Sequence, residues 1–249
     1  MSADAGTVTP ARRAELADGL ARVRDRVAAA ERAAGRPPGD VRLVVVTKFF
    51  PVSDVVALLE LGVDDIGESR DDEAAAKVAS LAEIGARPSV HFVGQVQSRK
   101  AASVAGYADL VHSVDRAKLV TALDRGAQGA DRVLPVLVQV DLDPPTPDAG
   151  DGSPSRGGVS PQGARALADA VAQARGLRLR GVMGIAPLGA PPAPAFARLA
   201  ELGREIAADH PGADVVSAGM SGDLEDAVAA GATLVRVGSA ILGPRPPRG

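Results

Sequence analysis

The chain contains no cysteine and no tryptophan, a single tyrosine (Tyr107), and only three histidines, His91, His112 and His210. Without cysteine there can be no disulfide, thiolate metal site or cysteine nucleophile. Three scattered histidines argue against a histidine-rich metal centre. Aromatic residues make up 2% of the chain, and 28 basic side chains against 31 acidic ones leave a net charge of −3. That composition excludes the stacking platform and broad basic footprint of a nucleic-acid reader. No run approaches the roughly 18 continuous apolar residues of a membrane span. The first twenty residues are polar and mixed in charge, with no apolar signal region. The expectation is a cytoplasmic protein with neither a membrane nor a nucleic acid as partner. Lysine is also scarce, at Lys48, Lys77, Lys100 and Lys118 only.

What is present is ordinary for a globular chain, with 46% hydrophobic and 24% charged residues over 249 positions. Residues 10–34 read as a helix, with Leu16, Leu20, Val23 and Val27 at spacings of three and four. Beyond it, short apolar runs at 42–47, 65–67, 90–93, 109–114, 134–142, 177–185, 214–217 and 233–237 alternate with helical patterns. Those patterns fall near 53–61, 70–84, 97–105, 115–128, 161–175, 195–209 and 222–230. Ser53 is placed to cap the first of these helices and Gly62 to end it. Strict alternation implies a parallel sheet with right-handed crossovers. Eight such units make a single-domain (β/α)8 TIM barrel, of the α/β class, with an extra N-terminal helix. A doubly wound open sheet is the alternative. The expected organisation is a flexible N-terminus over 1–9, the barrel over 10–244 and a tail over 245–249. Residues 143–158, half of them Pro or Gly, read as a mobile loop, and 187–194 as a stiffer one.

Polar and glycine residues gather at the C-terminal end of the runs, where a barrel of this kind carries its ligand. Lys48 follows the apolar residues 43–47 and precedes two phenylalanines, whereas the other lysines lie in helical patterns and read as solvated. Burial there would disfavour the ammonium and leave an amine able to form an imine with an aldehyde. A lysine snorkelling at a strand end is the other reading. Ser221-Gly222 is expected to open the helix after the seventh run, and Gly238-Ser239 that after the eighth. Paired glycine-bearing turns there form the usual phosphate grip of a barrel. Asp223 and Glu225 would compete with a phosphate, or simply complement a helix dipole. Period two turns Arg236 away from Val235 and Val237, toward the barrel interior. An arginine there needs a partner, which could be an acid such as Glu68 or Asp141, or a ligand atom. Phosphate, lysine and inward arginine together suggest pyridoxal 5′-phosphate (PLP), with the arginine donating to the pyridine nitrogen. Because arginine does not readily give up a proton, that nitrogen would stay neutral and the cofactor would be a weak electron sink. His91 and His112 lie within strand patterns and read more simply as core histidines, and Tyr107 falls in a loop leading into the fourth strand.

Four motifs carry a resemblance. Residues 46–51 (VTKFFP), 91–94 (HFVG), 219–224 (GMSGDL) and 235–243 (VRVGSAILG) occur in register across residues 10 to 244. On them the chain resembles the pyridoxal phosphate homeostasis family, itself similar to the N-terminal barrel of alanine racemase. The resemblance implies that Lys48 carries the cofactor and Arg236 meets its ring nitrogen. Ser221, Gly222, Gly238 and Ser239 match the phosphate grip, and Met183, Ser69 and His91 complete the expected cofactor-binding set. Two motifs depart from the family pattern, Gly67-Glu68-Ser69-Arg70-Asp71-Asp72-Glu73, which lacks an asparagine and a glutamine, and Gln97-Ser98-Arg99-Lys100. The long insert also replaces a short lysine-glycine loop, with Arg156-Gly157 in its place. The implied function is to hold PLP as a lysine Schiff base without strong turnover, as a monomer, and to hand it to PLP-dependent apoenzymes. An amino-acid racemase or lyase is the alternative, but it would need a second base facing the lysine, and none is evident. A Schiff-base aldolase, the third class, would not need the inward arginine.

Overall fold

A computed structural model describes residues 7–143 and 157–245. Eight parallel strands close into a barrel in sequence order, with β8 paired to β1. They are β1 (Arg42–Val46), β2 (Asp65–Glu68), β3 (Ser89–Phe92), β4 (Leu110–Val114), β5 (Leu134–Val140), β6 (Leu177–Gly184), β7 (Val215–Ser217) and β8 (Leu234–Val237). The helices are α1 (Pro10–Ala33), α2 (Val52–Glu60), α3 (Asp71–Glu83), α4 (Ala101–Tyr107), α5 (Ala117–Gly129), α6 (Pro161–Gln173), α7 (Pro192–Asp209), α8 (Leu224–Ala229) and α9 (Ser239–Leu242). The open-sheet alternative is thereby excluded. The insert at 144–156 lies outside the described residues, as do residues 1–6 and 246–249. No helix among the described residues is long and apolar enough to cross a membrane.

Leu16, Leu20, Val23 and Val27 are all buried, and they pack α1 over Leu224, Val228, Ile241 and Leu242. Thr9 caps α1 by accepting from Arg12 N at 3.2 Å, and Pro10 sits in the first turn, where no N–H is missed. Arg12 then bonds Asp54 in α2 and Leu242 O at the end of α9. Strand residues alternate between two destinations. Val45, Ile66, Val235 and Val237 enter the core under α1 and α2, while Val44, Leu110, Leu137, Met183 and Leu234 form a small cluster of their own. The barrel interior is therefore only partly apolar. The rest of it is polar, and that remainder carries the chemistry.

Local differences have physical reasons. Ser53 does not cap α2, because the helix already begins at Val52 and Pro51 takes the N-cap without a side-chain bond. Gly62 does follow the helix, at φ +77°. Part of the stretch expected as a stiff loop is helical, since Pro192 and Pro194 fit the first turn of α7. Tyr107 ends α4 instead of lying in a loop, and its hydroxyl donates to Asp71 at 3.3 Å. Burial, with Asp71 beside it, pushes that phenol well above its ordinary range.

Candidate functional site

Arg236 lies opposite Val44 in the β8–β1 ladder, and the valines on either side of it pack outward. Its side chain therefore enters the barrel, where the residue is 5% exposed. Nη1 donates to Ser217 Oγ at 2.5 Å and Nη2 to Gly184 O at 3.0 Å. No carboxylate bonds it among the described residues, so the acidic partner expected at Glu68 or Asp141 is not there. Glu68 faces the other way, toward α3. Burial lowers the guanidinium to about 10, with Asp223 pulling weakly upward. A buried cation satisfied only by neutral acceptors is costly, and the remaining N–H groups are available to another acceptor.

Lys48 lies two residues beyond β1, which stops at Val46, one residue short of the sequence pattern, and Thr47 begins a turn. Phe50 N donates to Thr47 O at 3.1 Å to close that turn, and Phe49 between them takes φ +72°. For an aromatic residue that conformation is strained and must be held from outside. The holding groups are Glu68, Glu73 and Lys77, none of which sequence reasoning singled out as holding this turn. Lys77 Nζ donates to Thr47 O at 2.8 Å and to Glu68 Oε1 at 2.6 Å, and Thr47 Oγ1 donates to the same carboxylate oxygen at 2.7 Å. Phe49 N donates to Glu73 Oε1 at 2.5 Å. Lys77 is 5% exposed and Glu68 fully buried, which corrects the expectation that every lysine but Lys48 is solvated. Burial raises the Glu68 carboxyl, and Lys77 opposes that rise. Helical periodicity alone assigned Lys77 to solvent. Only the tertiary fold turns it under the strand end.

The Lys48 ammonium itself is half-buried. No hydrogen bond or ion pair holds it among the described residues, and it lies 5.9 Å from the Phe49 ring centroid. Its amine is free while the peptides on both sides of it are fixed.

After β7, Gly219 adopts φ +88°, a left-handed turn closed to most side chains, and its carbonyl accepts from Arg236 N at 2.9 Å. Ser221 and Ser239 meet beyond it, with Ser239 Oγ donating to Ser221 Oγ at 3.2 Å. Ala240 N also donates to Ser221 Oγ, at 3.4 Å. Gly238 caps α9, so Gly238-Ser239 opens a short helix after β8 as expected. Ser221-Gly222 does not open α8, which begins at Leu224 with Asp223 at its N-cap. There Asp223 Oδ1 accepts from Met220 N at 2.6 Å. Glu225 is occupied by Arg26 at 2.7 Å. Met183 is 1% exposed and pairs with Ser217 across β6 and β7. Ser69 follows β2, and Gly94 packs so closely on its backbone that a Cβ there would lie 2.2 Å from Ser69 O.

His91 does not join this group. Its Nδ1 meets His112 Nε2 at 2.9 Å and its Nε2 meets Asp65 Oδ1 at 2.9 Å, so both nitrogens are engaged within the barrel. It lines a cavity with Arg42 and Arg180 at the N-terminal mouth, opposite the strand ends that carry Lys48 and Ser239. Among the described residues no cluster of acidic and histidine side chains could hold a metal.

The chain matches a family model described as the alanine racemase N-terminal domain, over residues 19–246. The chain is 46% identical over 253 residues to the pyridoxal phosphate homeostasis protein of Mycobacterium bovis, covering 95% of each. It belongs to the pyridoxal phosphate homeostasis protein family. A crystal structure of an unknown protein from Bifidobacterium adolescentis superimposes with a TM-score of 0.86 at 33% identity, over 97% of this chain and 100% of that one. PipY of Synechococcus elongatus, solved with PLP bound, gives a TM-score of 0.76 at 31% identity, over 92% of this chain and all of its own.

Proposed function

We propose that this protein binds PLP at the C-terminal mouth of its barrel, holding the cofactor through a Schiff base to Lys48 without strong turnover. The observation that carries this reading is Arg236, a buried guanidinium bonded, among the described residues, only to Ser217 Oγ and Gly184 O. A neutral ring nitrogen is the kind of acceptor such a group lacks. The donor set fits the cofactor elsewhere too. Ser221 and Ser239 bring two hydroxyls together beside the glycines Gly222 and Gly238, as a phosphate requires. Bound PLP supplies an aldehyde for covalent capture and a ring that can withdraw electrons. Arg236 donates to the ring nitrogen and keeps it from gaining a proton, which limits that withdrawal. Lys48 would supply the amine, and Met183 of β6 and Ser69 after β2 would complete the cofactor contacts.

Racemisation would need a second proton donor facing the lysine. Tyr107, the only tyrosine, is tied to Asp71 and its phenol holds its proton tightly. The chemistry left to these residues is to bind PLP, orient it and release it to PLP-dependent apoenzymes.

Borohydride treatment of the PLP-loaded protein, followed by peptide mapping, tests the assignment. Reduced cofactor is expected on Lys48 alone. A labelled peptide centred on Lys77, Lys100 or Lys118 would refute it.

A further inference from the structure

Below Arg236 the barrel interior holds a row of side chains that these cofactor contacts do not use. Ser217 Oγ, which accepts from Arg236, lies 2.9 Å from His112 Nδ1. His112 Nε2 lies 2.9 Å from His91 Nδ1, and His91 Nε2 lies 2.9 Å from Asp65 Oδ1. Asp65 also accepts both arms of Arg42, at 2.6 and 2.5 Å. The row runs from the level of Arg236 to the opposite mouth, where Arg42 and His91 border a cavity of about 190 Å³. His112 and Ser217 are fully buried and His91 is 1% exposed.

The hydrogens can be placed by satisfying each atom in turn. Burial raises the Asp65 carboxyl, but the hydrogen bonds from His91 and Arg42, with the charge of Arg42, bring it down to about 2. An ionised carboxylate only accepts, so His91 Nε2 carries a hydrogen. Burial first, and then neighbouring positive charge, that of Arg236 and Arg42 included, keeps His112 neutral, so it has one hydrogen to place. On Nδ1 that hydrogen would point at Ser217 Oγ, which already receives Arg236. The Ser217 hydroxyl hydrogen would then have no acceptor among the described residues. On Nε2 every atom is matched. Ser217 then donates to His112, His112 to His91, and His91 to Asp65. Buried polar groups settle in the arrangement that leaves none unmatched.

We propose that Ser217 and His112 are positioning residues for Arg236, and that Asp65, acting through His91, sets the hydrogen order that holds them. In this order Ser217 spends its own hydrogen on His112 and turns its lone pairs to the guanidinium. Arg236 is then clamped between Ser217 Oγ and Gly184 O, and its remaining N–H groups are aimed at the cofactor ring. The inference rests on the reading of Arg236 as partner of the ring nitrogen. A change at Asp65, near one mouth of the barrel, should be felt at the other.

The test compares PLP with its carbocyclic analogue, in which CH replaces the ring nitrogen, on native protein, Ser217→Ala and Asp65→Asn. Native protein should hold PLP more tightly than the analogue. Both variants should lose about tenfold in PLP affinity, the size of one hydrogen bond to a charged group, while their affinity for the analogue stays the same. If native protein binds the two ligands equally, the ring-nitrogen reading itself fails. If native protein discriminates but the variants weaken both ligands alike, that reading survives and the positioning role is overturned. Nitrogen-15 NMR of the imidazoles in cofactor-free native protein gives a readout independent of folding in the variants. The expected His112 signal is that of a neutral ring with hydrogen on Nε2, and hydrogen on Nδ1 would overturn the order.

Discussion

Lys48, in the turn after β1, and Arg236, on the neighbouring strand β8, are held in opposite ways. At Lys48 the backbone is locked and the side chain is free. Thr47 and Phe49 are bonded on either side of it by Lys77, Glu68 and Glu73, while its own amine has no hydrogen-bond partner among the described residues. At Arg236 the side chain is locked, by Ser217 and Gly184 and by the histidine row behind them. The difference suits the chemistry proposed for each. An amine that forms and breaks a covalent bond needs freedom at its tip and precision at its root. A guanidinium that only donates needs a fixed plane, and every bond to it shrinks the set of orientations it can adopt. The supports differ in kind as well, with a buried ion pair under the lysine and a row of mostly neutral groups behind the arginine.

That contrast can be broken from the lysine side first. Lys77→Met leaves the buried Glu68 without its cation, and losing one member of a buried pair costs about 3–5 kcal/mol. Urea denaturation should show a loss of that size. Adding Glu68→Leu should recover much of it, because an apolar pair carries no desolvation debt. A loss under about 1 kcal/mol would mean that the pair does not hold the turn.

A smaller effect per contact is expected where neither lysine nor arginine reaches. Replacing both Ser221 and Ser239 by alanine should weaken PLP retention by roughly 1.5–3 kcal/mol for each hydrogen bond lost to the phosphate, with the melting temperature nearly unchanged. Equilibrium dialysis measures it, and unaltered retention would place the phosphate elsewhere.

The smallest effect separates the two supports by pH. Asp65 is depressed to about 2 from 3.8, so it contributes stability that is fully present above its unfolded value and is lost as pH falls through about 2. Because Arg42 is more than half exposed, solvent screens part of this, leaving on the order of 1–2 kcal/mol. Glu68 has the opposite sign. Its raised value means that its contribution declines as pH rises above the ordinary carboxylate range. Asp65→Asn should therefore flatten the acid limb of the stability curve between about pH 4 and 2. An acid limb identical to that of the native protein would show that Asp65 is not held by His91 and Arg42.

Much of this was legible before any coordinates. The alternation of runs and helices implied the barrel, because a parallel strand must be followed by a crossover and eight crossovers close the sheet. Period two in Leu234-Val235-Arg236-Val237 turned the arginine inward, as observed. The misses share one cause. Lys77 looks like a surface charge in a linear pattern, Glu68 like a partner for the inward arginine, and His91 like a neighbour of the cofactor because it sits in a motif. Pattern gives the face of a residue but not the partner that face will meet.

The sequence by itself determined the architecture, the inward arginine and the isolated lysine, since these depend on periodicities of 2 and 3.6 and on chain-local stereochemistry. Only the tertiary structure decided who touches them. Closing the barrel brought His112 of β4 against Ser217 of β7, 105 residues apart, and carried Lys77 of α3 beneath the turn after β1. Such pairings are set by register and closure of the whole sheet, which are properties no single segment contains.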